Sequence, residues 1–466
     1  MPPGGDTIAA IATPCGPGGI GIVRVSGPLS ISIRNRVFRP PLAAESIESH
    51  RMYLGWAVDP ASGSVLDEVL AVVMKAPRSY TREDVLEIHC HGGPAVLRAV
   101  LRAVVQLGAR PAGRGEFTKR AVLNGRIDLA QAEAVLDLVR AESEAERAVA
   151  AKQLSGACAT ALEGIRSSLL SALAHIEAAI DFPEEDIETL HIDGLVLTLE
   201  RDALLRLDEL LETYRNGRIL REGARIVLAG RPNVGKSSLF NAFLGMGRVL
   251  VSPIPGTTRD VIEETIELSG LRAVLVDTAG IDDKTDQPLE RLGVELSRRE
   301  LEKADLVLVI LDASTGILPE DKALFASLPP GTPYLAVFNK TDIPQATRER
   351  AATIEDKDDL DGIPVSALTG AGLSVLRNRI LDVLLGGEGK RDMPLSAYIP
   401  NLRQKQALEK ARDATLRARE ALQGGAPPEI AAIDLREALS HLDAILRAGT
   451  DDEVLDQIFS RFCIGK

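Results

Sequence analysis

"ARIVLAGRPNVGKSSLFNAFLG", residues 224–245, decides how the middle of this chain folds. An apolar run leads into Gly230, the octet G-x-x-x-x-G-K-S closes at Ser237, and a helix-favouring stretch follows at once. Strand, glycine loop and helix in that order are the context the octet requires. Glycines let backbone N–H groups close around phosphate oxygens, and a helix N-terminus favours their negative charge. Lys236 is placed to reach the β- and γ-phosphates of a nucleotide, and the Ser237 hydroxyl to ligate Mg²⁺.

Downstream, the runs "RAVLVDTAG", "LVLVILDA", "YLAVFNK" and "IPVSAL" alternate with helix-favouring segments, up to "LLGGEGKRDMP". That alternation predicts a parallel doubly wound sheet. Three of these runs lead into a chemical group. Asp277, opening "DTAG", suits holding Mg²⁺ through water, and the Gly280 N–H suits a γ-phosphate. Asp342, closing "NKTD" from Asn339, can accept from both N1–H and N2–H₂ of guanine. Adenine offers no such pair, so a site built on Asp342 rejects it. "SAL" at Ser366–Leu368 adds backbone contact to the guanine O6. "GTTRD" at Gly256–Asp260 stands where a γ-phosphate-sensing segment belongs, with Thr258 as a second hydroxyl on Mg²⁺. Five elements in this order predict a GTP-hydrolysing domain. Where many such enzymes hold a water-orienting Gln after the DTAG-type glycine, this chain has Ile281, which cannot hydrogen-bond water. Asn233, inside the glycine loop, either ligates a monovalent cation beside the phosphates or stabilises the loop turn.

The flanks have a different texture. Residues 1 to about 120 mix β-rich runs ("GIGIVRVSG", "VLAVVMKAP", "DVLEIHCHG") with one apolar-periodic helix near 93–107, an α+β pattern. From about 128 to 223, and again from 401, Ala- and Leu-rich segments repeat near 3.6 residues, as helices of a bundle do. The predicted architecture is therefore multidomain: an α+β domain over 1–120, helices over 121–220, a Ras-like P-loop domain over 221–385 inserted into them, and more helices over 386–466.

Composition bounds the function. Apolar residues make up 45% of the 466, enough for a sizeable core. A net charge of −13 and 3% aromatics argue against a surface coated in nucleic-acid contacts, though not against a local basic patch. Cys15, Cys90, Cys158 and Cys463 form no C-x-x-C pair, which favours reduced thiols and a cytoplasmic location. No basic leader precedes an apolar stretch, and no apolar run is long enough to span a bilayer, so no membrane partner is expected.

The nucleotide motifs, together with "GGIGIVRVSG", "EDVLEIHCHGG", "GEFTKRAVLNGRIDLAQAEAVLDL", "AAIDFPEEDI" and the terminal "FCIGK", resemble the MnmE (TrmE) family of tRNA-modification GTPases, within the TRAFAC class, over the whole chain. The resemblance implies an N-terminal folate-binding and dimerisation domain, a helical domain and an inserted G domain. It implies a homodimer that works in a heterotetramer with an FAD-dependent MnmG-type partner, adding an aminomethyl or carboxymethylaminomethyl group at C5 of the wobble uridine of certain tRNAs. A 5-formyl- or methylene-tetrahydrofolate would supply the one-carbon unit. It assigns K⁺ to Asn233, Ser252, Ile254 and Thr257, Mg²⁺ to Ser237 and Thr258, and the orientation of the attacking water to Glu290, so that Glu290, Asn233 and Lys236 are the catalytic set. GTP contacts would run over Asn233, Val234, Gly235, Lys236, Ser237 and Ser238; over Ser252, Pro253, Ile254, Pro255, Gly256, Thr257 and Thr258; over Asp277, Thr278, Ala279 and Gly280; and over Asn339, Lys340, Asp342, Ser366 and Ala367. Folate would meet Arg24, Glu87, Arg126 and Lys466: a carboxylate can grip a pterin's donor edge in a forked pair, and cations attract the folate tail. Cys463 would sit near that chemistry, either as a nucleophile or as a positioning thiol. The rival functions are a ribosome-assembly or regulatory GTPase switch, which would not need the first 130 residues or "FCIGK", and a folate-dependent transferase with a vestigial G domain.

Overall fold

The computed structural model describes residues 5–14, 16–40, 48–181, 192–246, 248–249, 262–277, 299–343, 362–386, 398–447 and 452–466. The chain divides into two compact units. One comprises Met1–Leu136, Leu154–Asp181 and Pro427–Lys466; the other Asp137–Gln153 and Phe182–Ala426.

The first unit holds a sheet of seven strands: β1 (Ile8–Ile11), β2 (Gly21–Ser26), β3 (Phe38–Arg39), β4 (Met52–Val58), β5 (Val65–Met74), β6 (Val85–Cys90) and β7 (Arg110–Pro111). Their order is β3-β4-β5-β6-β2-β1-β7, antiparallel throughout except for the parallel β1–β7 pair. Period-two patterning assigns the faces. Val23, Val25, Leu86, Ile88 and Cys90 pack against Ile33, Val37, Leu97, Val100 and Val104 of two helices. The intervening residues Arg24, Glu87 and His89 turn to the other face, where Arg24 pairs with Glu87 and His89 with Leu70 in the register. The helix Pro94–Gln106 lies where its periodicity predicts. The helix Ser30–Val37 is not foreseen by "SISIRNRV", whose alternation imitates a strand; the fully buried Ser30, donating to the Asp84 carbonyl at 2.8 Å, fixes its first turn.

In the same unit, the helices Ala157–Asp181 and Pro428–Leu446 pack together and carry ion pairs from Arg166 to Asp443 and from Arg436 to Glu177. The helix Asp452–Phe459 follows, and Leu455, Phe459 and Phe462 bury against Ala121, Val122, Ile127 and Leu129. The next residues are tied to the α+β part: Ile464 bridges Arg114, the Gly115 N–H donates to the Cys463 carbonyl at 3.4 Å, and Arg24 donates to the Gly465 carbonyl at 3.2 Å. Gly465 sits at φ 96°, and a Cβ there would lie 2.4 Å from the Ile11 carbonyl. A flexible glycine is thus a requirement of close approach.

The second unit holds another sheet of seven strands: β8 (Ala224–Ala229), β9 (Arg248–Val249), β10 (Ile262–Leu268), β11 (Leu271–Asp277), β12 (Leu306–Asp312), β13 (Tyr334–Asn339) and β14 (Ile363–Pro364), in the order β14-β13-β12-β8-β11-β10-β9. The run from β14 to β11 is parallel, as the apolar segments predict. The β10–β11 pair is antiparallel: only Ser269 and Gly270 join the strands, at φ 51° and 87°, a two-residue turn that permits a hairpin and no crossover. The Ala-rich helical stretch is cut into three helices by Ser143, which receives the Glu146 N–H while Glu146 caps in return, and by Gly156 at φ 93°. The helix Leu402–Gln423 packs on Leu205–Glu222, within the second unit.

A buried ionic knot fastens the first unit's N-terminal strand. Arg120, its side chain 7% exposed, reaches Asp6 at 2.7 Å and Glu83 at 3.2 Å, and Arg110 donates to Glu116 at 2.9 Å. Burial pushes the Glu116 carboxyl up, but the Arg110 guanidinium, the Gly113 N–H and Arg120 outweigh it and hold it at about 2. A carboxyl held low stabilises the fold above its ordinary value of 4.5, and that contribution is lost as pH falls toward about 2. Glu116→Gln is therefore expected to lower the urea midpoint at pH 7, with the gap to the parent closing as pH drops below 4.5; fluorescence of Trp56, the single tryptophan, reports it.

Candidate functional site

The C-terminal ends of the second unit's parallel strands gather the predicted nucleotide groups at one edge, as open α/β sheets do. β8 delivers Gly230; the loop turns through Asn233 at φ 65° and Gly235 at φ 96°, and the helix Lys236–Met246 begins. The Lys236 ammonium, in a residue 5% exposed, donates to the Gly230 carbonyl at 2.6 Å and the Arg231 carbonyl at 3.2 Å. Beside it the Ser237 hydroxyl donates to the Asp277 carboxylate at 2.8 Å. The two oxygens predicted to share a Mg²⁺ are therefore neighbours, and hydroxyl plus carboxylate is a hard donor set that suits that ion.

The other end of the site is tied to this one. The buried Asn339 side chain donates to the Val234 carbonyl and accepts from the Ala367 N–H, each at 3.0 Å. Lys340, at φ 66°, spans the Asn233 carbonyl and the Asp312 carboxylate, both at 2.7 Å. Burial pushes the Asp312 carboxyl up, but Lys340 and the Ser314 donors outweigh it and hold it below the ordinary carboxylate range. Ser366 donates to Asp342 at 2.5 Å, placing the predicted guanine-reading carboxylate beside the Ser366–Ala367 backbone. Val234, Gly235 and Ser238 complete the loop and first turn. Ser252, Pro253, Ile254, Pro255, Gly256, Thr257, Thr258, Thr278, Ala279, Gly280 and Glu290 lie outside the described residues.

A second cluster occupies the first unit. Arg24 donates to Glu87 at 2.8 Å, and the His89 Nε2 lies 3.3 Å from the other Glu87 oxygen. The Arg24 guanidinium stands 5.8 Å from the Tyr80 ring centre and 5.7 Å from that of Phe117, and Arg126 stands 4.7 Å over Tyr80. Arg24 and Arg126 thus share the Tyr80 ring, and Glu87 joins them through its bond to Arg24. Lys466 directly follows Gly465, whose carbonyl rests on Arg24; Cys463 is exposed. Sequence reasoning missed Tyr80 and Phe117 here, and Arg231 and Asp312 in the nucleotide site; His89 shares a strand face with Glu87, as alternation along that strand predicts. Asp312 had a legible signal, since it ends an apolar run as Asp277 does; the aromatics had none.

A family model described as "GTP-binding protein TrmE N-terminus" matches residues 7–126, and one described as "MnmE helical domain" matches residues 129–463. The tRNA modification GTPase MnmE of Geotalea uraniireducens is 45% identical over 461 residues, covering 99% of each chain. That of Carboxydothermus hydrogenoformans is 45% identical over 466 residues, again covering 99% of each. Among solved structures, a point variant of Aquifex aeolicus Era bound to GDP·AlF4⁻ is 30% identical, covers 41% of this chain and 66% of that one, and has a TM-score of 0.30.

A Cβ at Gly235 would fall 2.3 Å from the Asn339 Nδ2 in a left-handed backbone. Gly235→Ala is expected to weaken binding of a phosphate-bearing nucleotide by about tenfold or more, because it breaks the loop and the Asn339 tie together. Titration calorimetry with GDP checks it.

Proposed function

The chain belongs to the MnmE (TrmE) family of tRNA modification GTPases, and from that premise we propose that it is a potassium-activated GTP hydrolase whose cycle drives modification of the wobble uridine of certain tRNAs at C5. The observation that carries the hydrolase reading is the convergence of Lys236, Ser237 and Asp277 at one end and Asn339, Asp342 and Ser366 at the other, with Asn339 bonding both.

Each group has a task in GTP cleavage. Lys236, with Gly230 and Arg231 carbonyls holding its ammonium, meets the charge that develops on the β- and γ-phosphate oxygens. Ser237 and Asp277 would hold Mg²⁺, which neutralises phosphate charge. Asp342 selects guanine. The K⁺ reading rests on Asn233. Its left-handed turn is held through its main-chain carbonyl by Lys340, so the turn does not need the side chain, whose oxygen suits a monovalent ion. Ile281, where a water-orienting Gln is often found, can neither hydrogen-bond water nor carry charge, and such an ion supplies the positive charge that the phosphates need.

The second cluster supports a folate site. The Glu87 carboxylate can grip a pterin's donor edge, with Arg24 and Arg126 as cations for the rest of the ligand. Lys466 is the further folate contact, and Cys463 stands near the one-carbon chemistry. On the same sheet Met52, Leu54 and Leu70 are 45%, 53% and 40% exposed, an apolar face that supports homodimerisation through the N-terminal domain. An MnmG-type FAD protein completes the working assembly, in the cytoplasm. Among the described residues no helix is long and apolar enough to cross a membrane.

GTP turnover measured in K⁺ and then in Na⁺ at equal ionic strength is expected to be faster in K⁺, by about tenfold or more for an electrostatic contribution of this kind. Asn233→Ala is expected to abolish the difference while leaving GDP binding in place; equal rates in the two salts, or a surviving response in the variant, reject the cation role. Separately, Lys466→Ala is expected to weaken tetrahydrofolate binding by about tenfold. Unchanged affinity removes Lys466 from that site.

A further inference from the structure

Arg231 occupies the second position of the glycine loop, and its side chain leaves the phosphate cradle altogether. Its Nε lies 3.1 and 3.2 Å from the two oxygens of Asp321, and its Nη2 donates to the Thr315 hydroxyl. Asp321 is anchored in its own right. Its side chain is 0% exposed, it stands in the first turn of the helix Pro319–Ser327, and its Oδ2 accepts the Leu318 N–H at 2.9 Å. Thr315 belongs to the turn that closes β12, its N–H donating to the Asp312 carbonyl at 3.1 Å. The guanidinium is therefore held by the turn after β12 and by the first turn of the helix that follows it, 84 and 90 residues away along the chain.

We propose that Arg231 is a positioning residue for GTP hydrolysis: clamped by Asp321 and Thr315, it fixes the peptide planes whose carbonyls aim the Lys236 ammonium. Those carbonyls belong to Gly230 and to Arg231 itself. Two torsions per residue control where they point, and a side chain anchored outside the loop removes that freedom. The far flank is pinned independently, by Lys340 on the Asn233 carbonyl, and Pro232 between them has its own φ fixed. The segment 230–233 thus enters the reaction already set, and Lys236 needs no reorganisation as charge builds on the phosphates.

A purely structural pair would do less. Breaking it leaves a buried carboxylate without its cation and costs stability, while replacing both partners by neutral groups relieves that cost. A positioning role predicts that turnover does not recover along with stability. The inference rests on GTP hydrolysis and not on the potassium or folate readings.

The experiment compares the full-length parent with Arg231→Lys, Asp321→Asn and the double variant Arg231→Met/Asp321→Asn, measuring kcat and KM for GTP and the thermal midpoint of each. Asn retains an oxygen for the Leu318 N–H, and Lys retains charge without the forked geometry. The expected result is kcat lowered by about tenfold in all three variants with KM changed less than about threefold, since the lost contribution belongs to the transition state. The double variant is expected to regain the midpoint lost by Asp321→Asn and not its kcat. Turnover within twofold of the parent in Arg231→Lys, a rise in KM alone, or a double variant that regains kcat together with its midpoint would each overturn the proposal.

Discussion

One side chain joins the two halves of the nucleotide site. The Asn339 amide, 2% exposed, donates toward the glycine loop and accepts from the Ser366–Ala367 segment. A buried amide with both ends satisfied is a strong constraint, because losing either partner leaves a desolvated polar atom. Gly235 exists in its left-handed turn because a Cβ would strike that amide. The distance between the glycine loop and the Ser366–Ala367 segment beside Asp342 is set here, and every proposed role of Lys236, Ser237, Asp277 and Asp342 presumes it.

The parallel sheet makes the constraint possible. β8, β11, β12 and β13 run the same way, so their C-terminal ends at Ala229, Asp277, Asp312 and Asn339 lie side by side at one edge. The opposite ends carry a different set of charges. Asp305 meets Arg218, and Arg272 at the start of β11 meets Glu142 and Glu146. The strand that supplies Asp277 is thus fastened at its far end to the helices of its own unit, which gives the sheet a rigid frame behind the site.

The first unit uses another device. Its second cluster needs a backbone carbonyl from Gly465 beside Arg24, and the aromatic pair Phe459 and Phe462 secures that approach by burying ahead of it. Polar grouping on the open face of an antiparallel sheet follows from alternation, since Arg24, Glu87 and His89 are the residues between buried neighbours. The aromatic floor under Arg24 and Arg126 comes instead from Tyr80, in a loop, and Phe117, in a helix.

Local pattern alone fixed a good deal. The order strand, G-x-x-x-x-G-K-S, helix, the groups at the ends of the runs closing on Asp277 and Asn339, the faces of β2 and β6, and the long helices on either side of the inserted sheet all follow from spacing that a single segment carries. "SISIRNRV" alternates like a strand yet is a helix, so its own pattern does not announce it, and the antiparallel β10–β11 hairpin across "LSGL" departs from the parallel sheet that the alternating runs predict. Only tertiary structure decided which distant residues complete each site. Arg231 finds Asp321 across 90 residues and Arg24 finds the Gly465 carbonyl across 441, and neither partner has a type or spacing that announces the other. Periodicity records which face of an element is buried; it holds no record of what the rest of the chain brings to that face.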